Sequence, residues 1–139
     1  MRLLPLASLL LLVPIAAGAA NPVVRFSSEL GSYDVELCAE PSTACPGVAP
    51  ATVTNFLRYV DEDRYPPTGF IHRRGVGTSP AVLQGGGYWI EDGSMMRGTQ
   101  PFLPIALEIG TGLSNLRGTI AMARGEEEDS ATSQWFVNL

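Results

Sequence analysis

Gly118-Thr119-Ile120-Ala121-Met122-Ala123-Arg124, followed after Gly125 and three glutamates by Asp129-Ser130-Ala131-Thr132-Ser133-Gln134-Trp135-Phe136-Val137-Asn138, carries two short apolar runs, 118–123 and 133–139. Each is bounded by Gly, Asp or Ser, and each predicts a short strand. Further runs of the same kind lie upstream. Gly69-Phe70-Ile71-His72, Val82-Leu83-Gln84-Gly85-Gly86-Gly87-Tyr88 and residues 105–109 are strand candidates, the second interrupted by its glycines.

Further back, residues 23–37 read as a β-hairpin. Val23-Val24-Arg25-Phe26 is rich in β-formers, Leu30-Gly31-Ser32 turns, and Tyr33, Val35 and Leu37 alternate with Asp34 and Glu36. One segment has the other periodicity. Val53, Phe56, Leu57 and Val60 stand at i, i+3, i+4 and i+7, the apolar stripe of an amphipathic helix. Pro50 suits its first turn, where a missing N–H costs nothing. Asp61-Glu62-Asp63 opposes the helix dipole and is expected in the exit loop. Short strands, Gly/Pro turns and one helix together predict a mainly β barrel or sandwich in a single small domain.

Composition bounds the partners. The chain has 139 residues, 45% of them apolar, and a net charge of −5. All its positive side chains are arginine. That acidic balance argues against nucleic acid and anionic membrane as partners. Residues 1–20 are a different material: Met1-Arg2, an apolar run over 3–15, then Ala16-Ala17-Gly18-Ala19-Ala20. This is the three-part pattern of a secretory signal peptide cut after Ala19 or Ala20, leaving 21–139 as the domain. The apolar run falls short of the about 20 residues that span a bilayer, so no stable membrane insertion is expected after cleavage. The expected location is exported, periplasmic or secreted.

Cys38 and Cys45 fit that compartment. A disulfide between them closes a short ring, contributing about 2–3 kcal/mol on loop entropy. Two free thiols are the alternative. Two cysteines and one distant histidine do not make a zinc set, and no metal is expected.

Five stretches, in order, resemble the cyclophilin family. They are Gly31-Ser32-Tyr33-Asp34-Val35-Glu36-Leu37, Ala49-Pro50-Ala51-Thr52-Val53-Thr54-Asn55-Phe56-Leu57, Phe70-Ile71-His72-Arg73, Gln84-Gly85-Gly86-Gly87-Tyr88, and the block that opens this section. The resemblance covers nearly all of 23–139. It implies an antiparallel β-barrel closed by two helices, isomerisation of Xaa–Pro peptide bonds and no cofactor. Its partners would be proline-containing segments of unfolded or exported proteins. Here only the first helix is expected. The sequence ends at Leu139, before the family's C-terminal helix and closing strands, and an incomplete sequence is the expected reading. A decayed member, or a barrel completed by a partner, are the alternatives.

The resemblance also assigns roles. Arg73 is the catalytic cation, and Gln84 holds the substrate carbonyl or orients Arg73. Phe136 forms the floor for the proline ring with Met122 nearby; a plain core residue is the alternative reading of both. Ala123, Arg124 and Gly125 meet the peptide backbone, and Gln134 lines the groove. His72 supports the site; a packed, hydrogen-bonded core histidine is the competing reading. Arg74 points to the opposite strand face, into solvent. The segment 74–83 is longer than the family's. It sets Ala81 where a pocket phenylalanine is usual and Val82 at the next pocket position. An alanine there loses about 1–3 kcal/mol of apolar contact with the proline.

The leading functional expectation is therefore a peptidyl-prolyl cis–trans isomerase that assists exported proteins. A non-catalytic peptide-binding or chaperone module, or an inactive fragment on the same frame, is the second reading. The lack of a Gly-x-Ser-x-Gly elbow and of a nucleophile paired with the lone histidine argues against a third reading, a hydrolase.

Overall fold

Val53, Phe56 and Tyr59 lie on one side of helix α1 (Pro50–Asp61), and all three are buried. The computed structural model describes residues 20–75, 77 and 81–139. The leader expected over 1–19, and Val76 and residues 78–80 of the long segment, lie outside those described residues. Around the helix stand β1 (Val23–Ser28), β2 (Gly31–Glu36), β3 (Arg73–Gly75), β4 (Val82–Gly85), β5 (Tyr88–Glu91), β6 (Met95–Gly98), β7 (Ile120–Met122) and β8 (Trp135–Asn138). The protein is mainly β, with one helix, as the runs predict.

The strands form three antiparallel sheets. The hairpin β1–β2 pairs Val23 with Glu36 through Ser28 with Gly31. A four-stranded sheet has the order β3-β4-β8-β7, and β5–β6 is a second hairpin. Among the described residues these sheets do not close into a barrel. The core lies between the helix and one face of the four-stranded sheet. Leu37, Val53, Phe56 and Trp135 are its buried centre, and Phe26, Ile120, Met122 and Val137 pack around it. Phe26 meets the Trp135 ring edge-on at 5.0 Å, the favoured aromatic geometry.

Several expected boundaries move. Residues 69–72 are not a strand: Gly69 makes a single bridge to Trp89, and the strand proper starts at Arg73. A turn closed by the Gly69 N–H on the Pro66 carbonyl delays it. The run 82–88 splits into β4 and β5 because Gly86 takes φ +75°, a left-handed turn that breaks the ladder. Of 105–109 only Ile105 bridges, to Ala131. Asp61 is the last helical residue rather than the first of the exit loop, and Glu62 is the C-cap.

Two features were not anticipated. The β5–β6 hairpin turns at Asp92-Gly93, both at positive φ. An Asp-Gly pair is a strong hairpin signal, but the run behind it, Met95-Met96-Arg97-Gly98, lacks the alternation that marks a strand. The helix also lacks a capping side chain at Ala49. Glu108 supplies one from afar, accepting the backbone N–H of Ala51 at 3.1 Å and of Thr52 at 2.7 Å. A carboxylate there satisfies two orphan donors and faces the positive end of the dipole.

Candidate functional site

Residues directly opposite on antiparallel strands share a face. Arg73 stands opposite Gln84, Gln84 opposite Phe136, and Phe136 opposite Ala121. These four form one row across the whole sheet. Alternation puts Val82 and Asn138 in the neighbouring row on the same face. On the other side of the row, the Ala123 N–H donates to the Gln134 carbonyl at 2.8 Å, extending the face beyond the ladder.

The row carries a polar relay. Arg73 Nη1 donates to Gln84 Oε1 at 3.1 Å, and Gln84 Nε2 donates to Gln134 Oε1 at 2.7 Å. The relay fixes the Gln84 amide by both ends. Arg73 itself is exposed, and a guanidinium has five N–H donors, of which this bond uses one. Phe136 is half-buried next to Gln84, an apolar surface adjoining a held cation. Gln134 can lie where it does because Gly87 has no side chain: a Cβ there would come within 2.9 Å of the Gln134 amide carbon.

Beside the relay is a cleft of about 240 Å³ lined by Gln84, Ala123, Arg124, Gly125, Ser130, Thr132 and Gln134. Its rim is a tight loop. Ser130 Oγ accepts the Gly125 N–H at 2.8 Å and donates to the Glu127 carbonyl. Arg124 Nη1 donates to the carbonyls of Gly125 at 3.0 Å and Glu126 at 3.3 Å. Thr132 is held from behind, its carbonyl accepting from Asn55 Nδ2 at 2.7 Å.

The residues assigned from sequence divide accordingly. Arg73, Gln84, Gln134 and Phe136 share the open face, with Ala123, Arg124 and Gly125 at the cleft; Val82 lies on the same side of the sheet but is buried. Met122 does not join them. It pairs with Trp135 and packs on the core side, because one step along a strand reverses the face. His72 also turns away. Its ring meets Tyr88 edge-on at 4.9 Å, and its buried Nδ1 has no partner among the described residues. Arg74 is exposed. Ala81 precedes β4, and its carbonyl accepts the Leu139 N–H at 2.9 Å. Ala121, Ser130 and Thr132 were missed. Ala121 was legible, since period-two alternation from Ala123 puts it on the same face; the other two reach the cleft only through the loop's fold.

Away from this face, Cys38 and Cys45 form a disulfide with Cα atoms 5.3 Å apart. Among the described residues no group of three or more His, Cys, Asp and Glu gathers to hold a metal, and no helix is long and apolar enough to cross a membrane.

Comparison with known proteins agrees with the geometry. The family model "Cyclophilin type peptidyl-prolyl cis-trans isomerase/CLD" matches residues 43–139. A peptidyl-prolyl cis-trans isomerase of Acinetobacter baylyi is 36% identical over 124 residues, covering 89% of this chain and 58% of the relative. Peptidyl-prolyl cis-trans isomerase A of Dickeya dadantii is 45% identical over 91 residues, 66% of this chain and 44% of the relative. Peptidyl-prolyl cis-trans isomerase B of Escherichia coli is also 45% identical over 91 residues, 66% of this chain and 51% of the relative. The chain spans about half the length of these relatives.

Proposed function

The chain belongs to the cyclophilin-type peptidyl-prolyl cis–trans isomerase family, and from that premise we propose that it catalyses rotation about Xaa–Pro peptide bonds on the face bearing Arg73, Gln84 and Phe136. The observation that carries this reading is the single row in which a hydrogen-bonded arginine, its orienting amide and an apolar ring follow one another.

The chemistry needs no bond broken. Rotation is slow because amide resonance must be lost, a barrier of about 18–20 kcal/mol. A catalyst must bind the twisted amide better than either planar form. In the twisted form the prolyl nitrogen regains a lone pair and accepts a hydrogen bond. A guanidinium is a planar, delocalised cation with a rigid fork of donors, and Arg73 presents that fork to the nitrogen. Gln84 restricts where the fork can point, and Phe136 offers the proline ring an apolar surface. No proton is transferred, so His72 has no acid–base role.

The substrates proposed are proline-containing segments of exported proteins in the periplasm or outside the cell. The leader-like first twenty residues and the Cys38–Cys45 disulfide support that compartment.

Isomerisation of a short Ala-Pro peptide, followed with the chain and with its Arg73→Ala variant, is the test. Losing one preorganised donor to a transition state costs on the order of 100- to 1000-fold in rate. Equal rates for the two proteins would refute the role of Arg73. Peptide binding with no turnover by either would favour the non-catalytic binding module instead.

A further inference from the structure

Between the Ser130 loop and β8 the chain runs through residues 131–134 outside any named strand. Every carbonyl of that stretch nonetheless accepts a hydrogen bond, as buried backbone must. Ala131 accepts from the Ile105 N–H at 3.0 Å and Gln134 from the Ala123 N–H at 2.8 Å. The two carbonyls between them are met by side chains. Asn55 Nδ2 donates to the Thr132 carbonyl at 2.7 Å, and the Tyr65 hydroxyl donates to the Ser133 carbonyl at 2.6 Å.

Both donors come from α1 and the chain just after it. Asn55 is buried although it stands off the apolar stripe of Val53, Phe56, Leu57 and Val60. Asparagine is a mediocre residue for a helix interior, and burying its amide is costly unless the amide is bonded. Ser133 is buried as well. The Tyr65 ring stacks on Tyr59 at 5.3 Å and tilts against Phe56 at 5.4 Å, which restricts where its hydroxyl can point. An apolar side chain at 55, or a phenyl ring at 65, would fill the same space and hold neither carbonyl.

What those carbonyls fix is Gln134. Peptide units are planar, so holding the carbonyls of Thr132 and Ser133 sets the backbone from which the Gln134 side chain departs. That side chain accepts Gln84 Nε2 at 2.7 Å, and Gln84 Oε1 accepts Arg73 Nη1 at 3.1 Å. We propose that Asn55 and Tyr65 are positioning residues for the isomerisation: they hold the chain ahead of Gln134 so that its amide tethers Gln84, which in turn aims Arg73. The proposal rests on the isomerase reading for its effect on rate. Both side chains act through the relay, without contact to the peptide. A misplacement of 1 Å at a reacting group can cost about 100-fold in rate, so drift of Gln134 is felt at Arg73.

The relay's own signal separates positioning from mere stability. The side-chain amide resonances of Gln84 and Gln134 are followed by NMR of the isotope-labelled protein, and kcat and KM for the Ala-Pro peptide are measured alongside. Asn55→Ala should lower kcat roughly 3- to 10-fold, the rate equivalent of one hydrogen bond, with KM nearly unchanged. The Gln84 side-chain N–H signal should move towards that of a free glutamine amide. On a Gln84→Leu background the same substitution should cost nothing more, because the relay is already cut. Tyr65→Phe is close to isosteric. It should move the same signal and lower kcat in the same direction, and it decides the matter if Asn55→Ala does not fold. Glu108→Ala weakens α1 at its start, away from these carbonyls, and should leave both readouts unchanged. A Gln84 signal that stays in place in Asn55→Ala and Tyr65→Phe, the same shift in Glu108→Ala, a kcat equal to the parent's, an effect confined to KM, or a full further loss on the Gln84→Leu background would each overturn the proposal. Absence of turnover by the parent chain would sink the isomerase reading alone, and the Gln84 signal would then decide by itself whether Asn55 and Tyr65 set the relay.

Discussion

Arg73 and Gln84 face each other across neighbouring antiparallel strands, and the guanidinium donates to the amide oxygen at 3.1 Å. The amide is itself tethered by its nitrogen to Gln134 at 2.7 Å. Arg73 is exposed and stands on a three-residue edge strand, so little else restrains its side chain. Orientation of the proposed catalytic donor therefore depends on one amide.

Gln84→Leu is expected to lower kcat/KM for an Ala-Pro peptide by roughly 5- to 30-fold, about 1–2 kcal/mol, near the net value of the one hydrogen bond it makes to an exposed charged group. The loss should appear in kcat more than in KM, because the donor is misplaced rather than removed. Gln84→Glu keeps the acceptor for Arg73 and should recover part of the rate. A Gln84→Leu protein as fast as its parent would show that Arg73 orients itself.

Helix α1 starts without a local cap, and Glu108 substitutes for it through the N–H groups of Ala51 and Thr52. Glu108→Ala should cost about 1 kcal/mol, the usual value of an N-cap. For a domain of this size that is a fall of roughly 3–6 °C in Tm by thermal unfolding. Glu108→Gln retains an acceptor and should lose less. Activity should be unchanged in both, since Glu108 lies outside the row and the cleft.

These two cases show what a sequence can carry. Periodicity marked the β1–β2 hairpin and the apolar stripe of α1, since both depend on spacing along the chain. Motif order brought Arg73, Gln84 and Phe136 together because the resemblance is local at each. What stayed hidden depends on contacts between distant segments. Glu108 reaches the helix start from within 105–109, a run that reads as a strand but folds as irregular chain with a single bridge at Ile105. Trp135 and Phe136 are both aromatic, and only the pairing of β8 with β4 and β7 sends the first into the core and the second to the open face. Met122 is a different case: the alternation that sets Ala121 beside Ala123 already turns it to the other face, where it packs on the core.

The Cys38–Cys45 disulfide closes a short loop just ahead of α1, and Cys45 is 1% exposed. Removing the bridge with a Cys38→Ser, Cys45→Ser double variant should cost about 2–3 kcal/mol, chiefly by freeing the unfolded chain. Urea unfolding would show it as a lower midpoint at nearly unchanged slope. Peptide isomerisation well below the midpoint should be retained, since neither cysteine borders the site.

Alkaline pH should destabilise the protein through its tyrosines. Tyr65 donates its hydroxyl to the Ser133 carbonyl at 2.6 Å, and burial pushes its phenol well above the ordinary 10.0. Burial also raises Tyr59. A raised folded pKa means that the unfolded state loses its proton first. The associated stability is therefore intact below about pH 10 and falls as pH climbs from there towards the folded value. Acid works through the opposite shift. The Arg25 hydrogen bond holds Asp34 below its usual range, and bonds from Asn21 and Ser42 do the same for Glu36. Their contribution is present above pH about 4 and is lost as pH falls through the depressed values. Tyr65→Phe separates the two limbs. It should lower stability at pH 7, since the Ser133 carbonyl loses its partner, and flatten the decline above pH 10 while leaving the acid limb unchanged. Chemical unfolding at a series of pH values reads this directly, and an unaltered alkaline slope in Tyr65→Phe would remove Tyr65 as its cause.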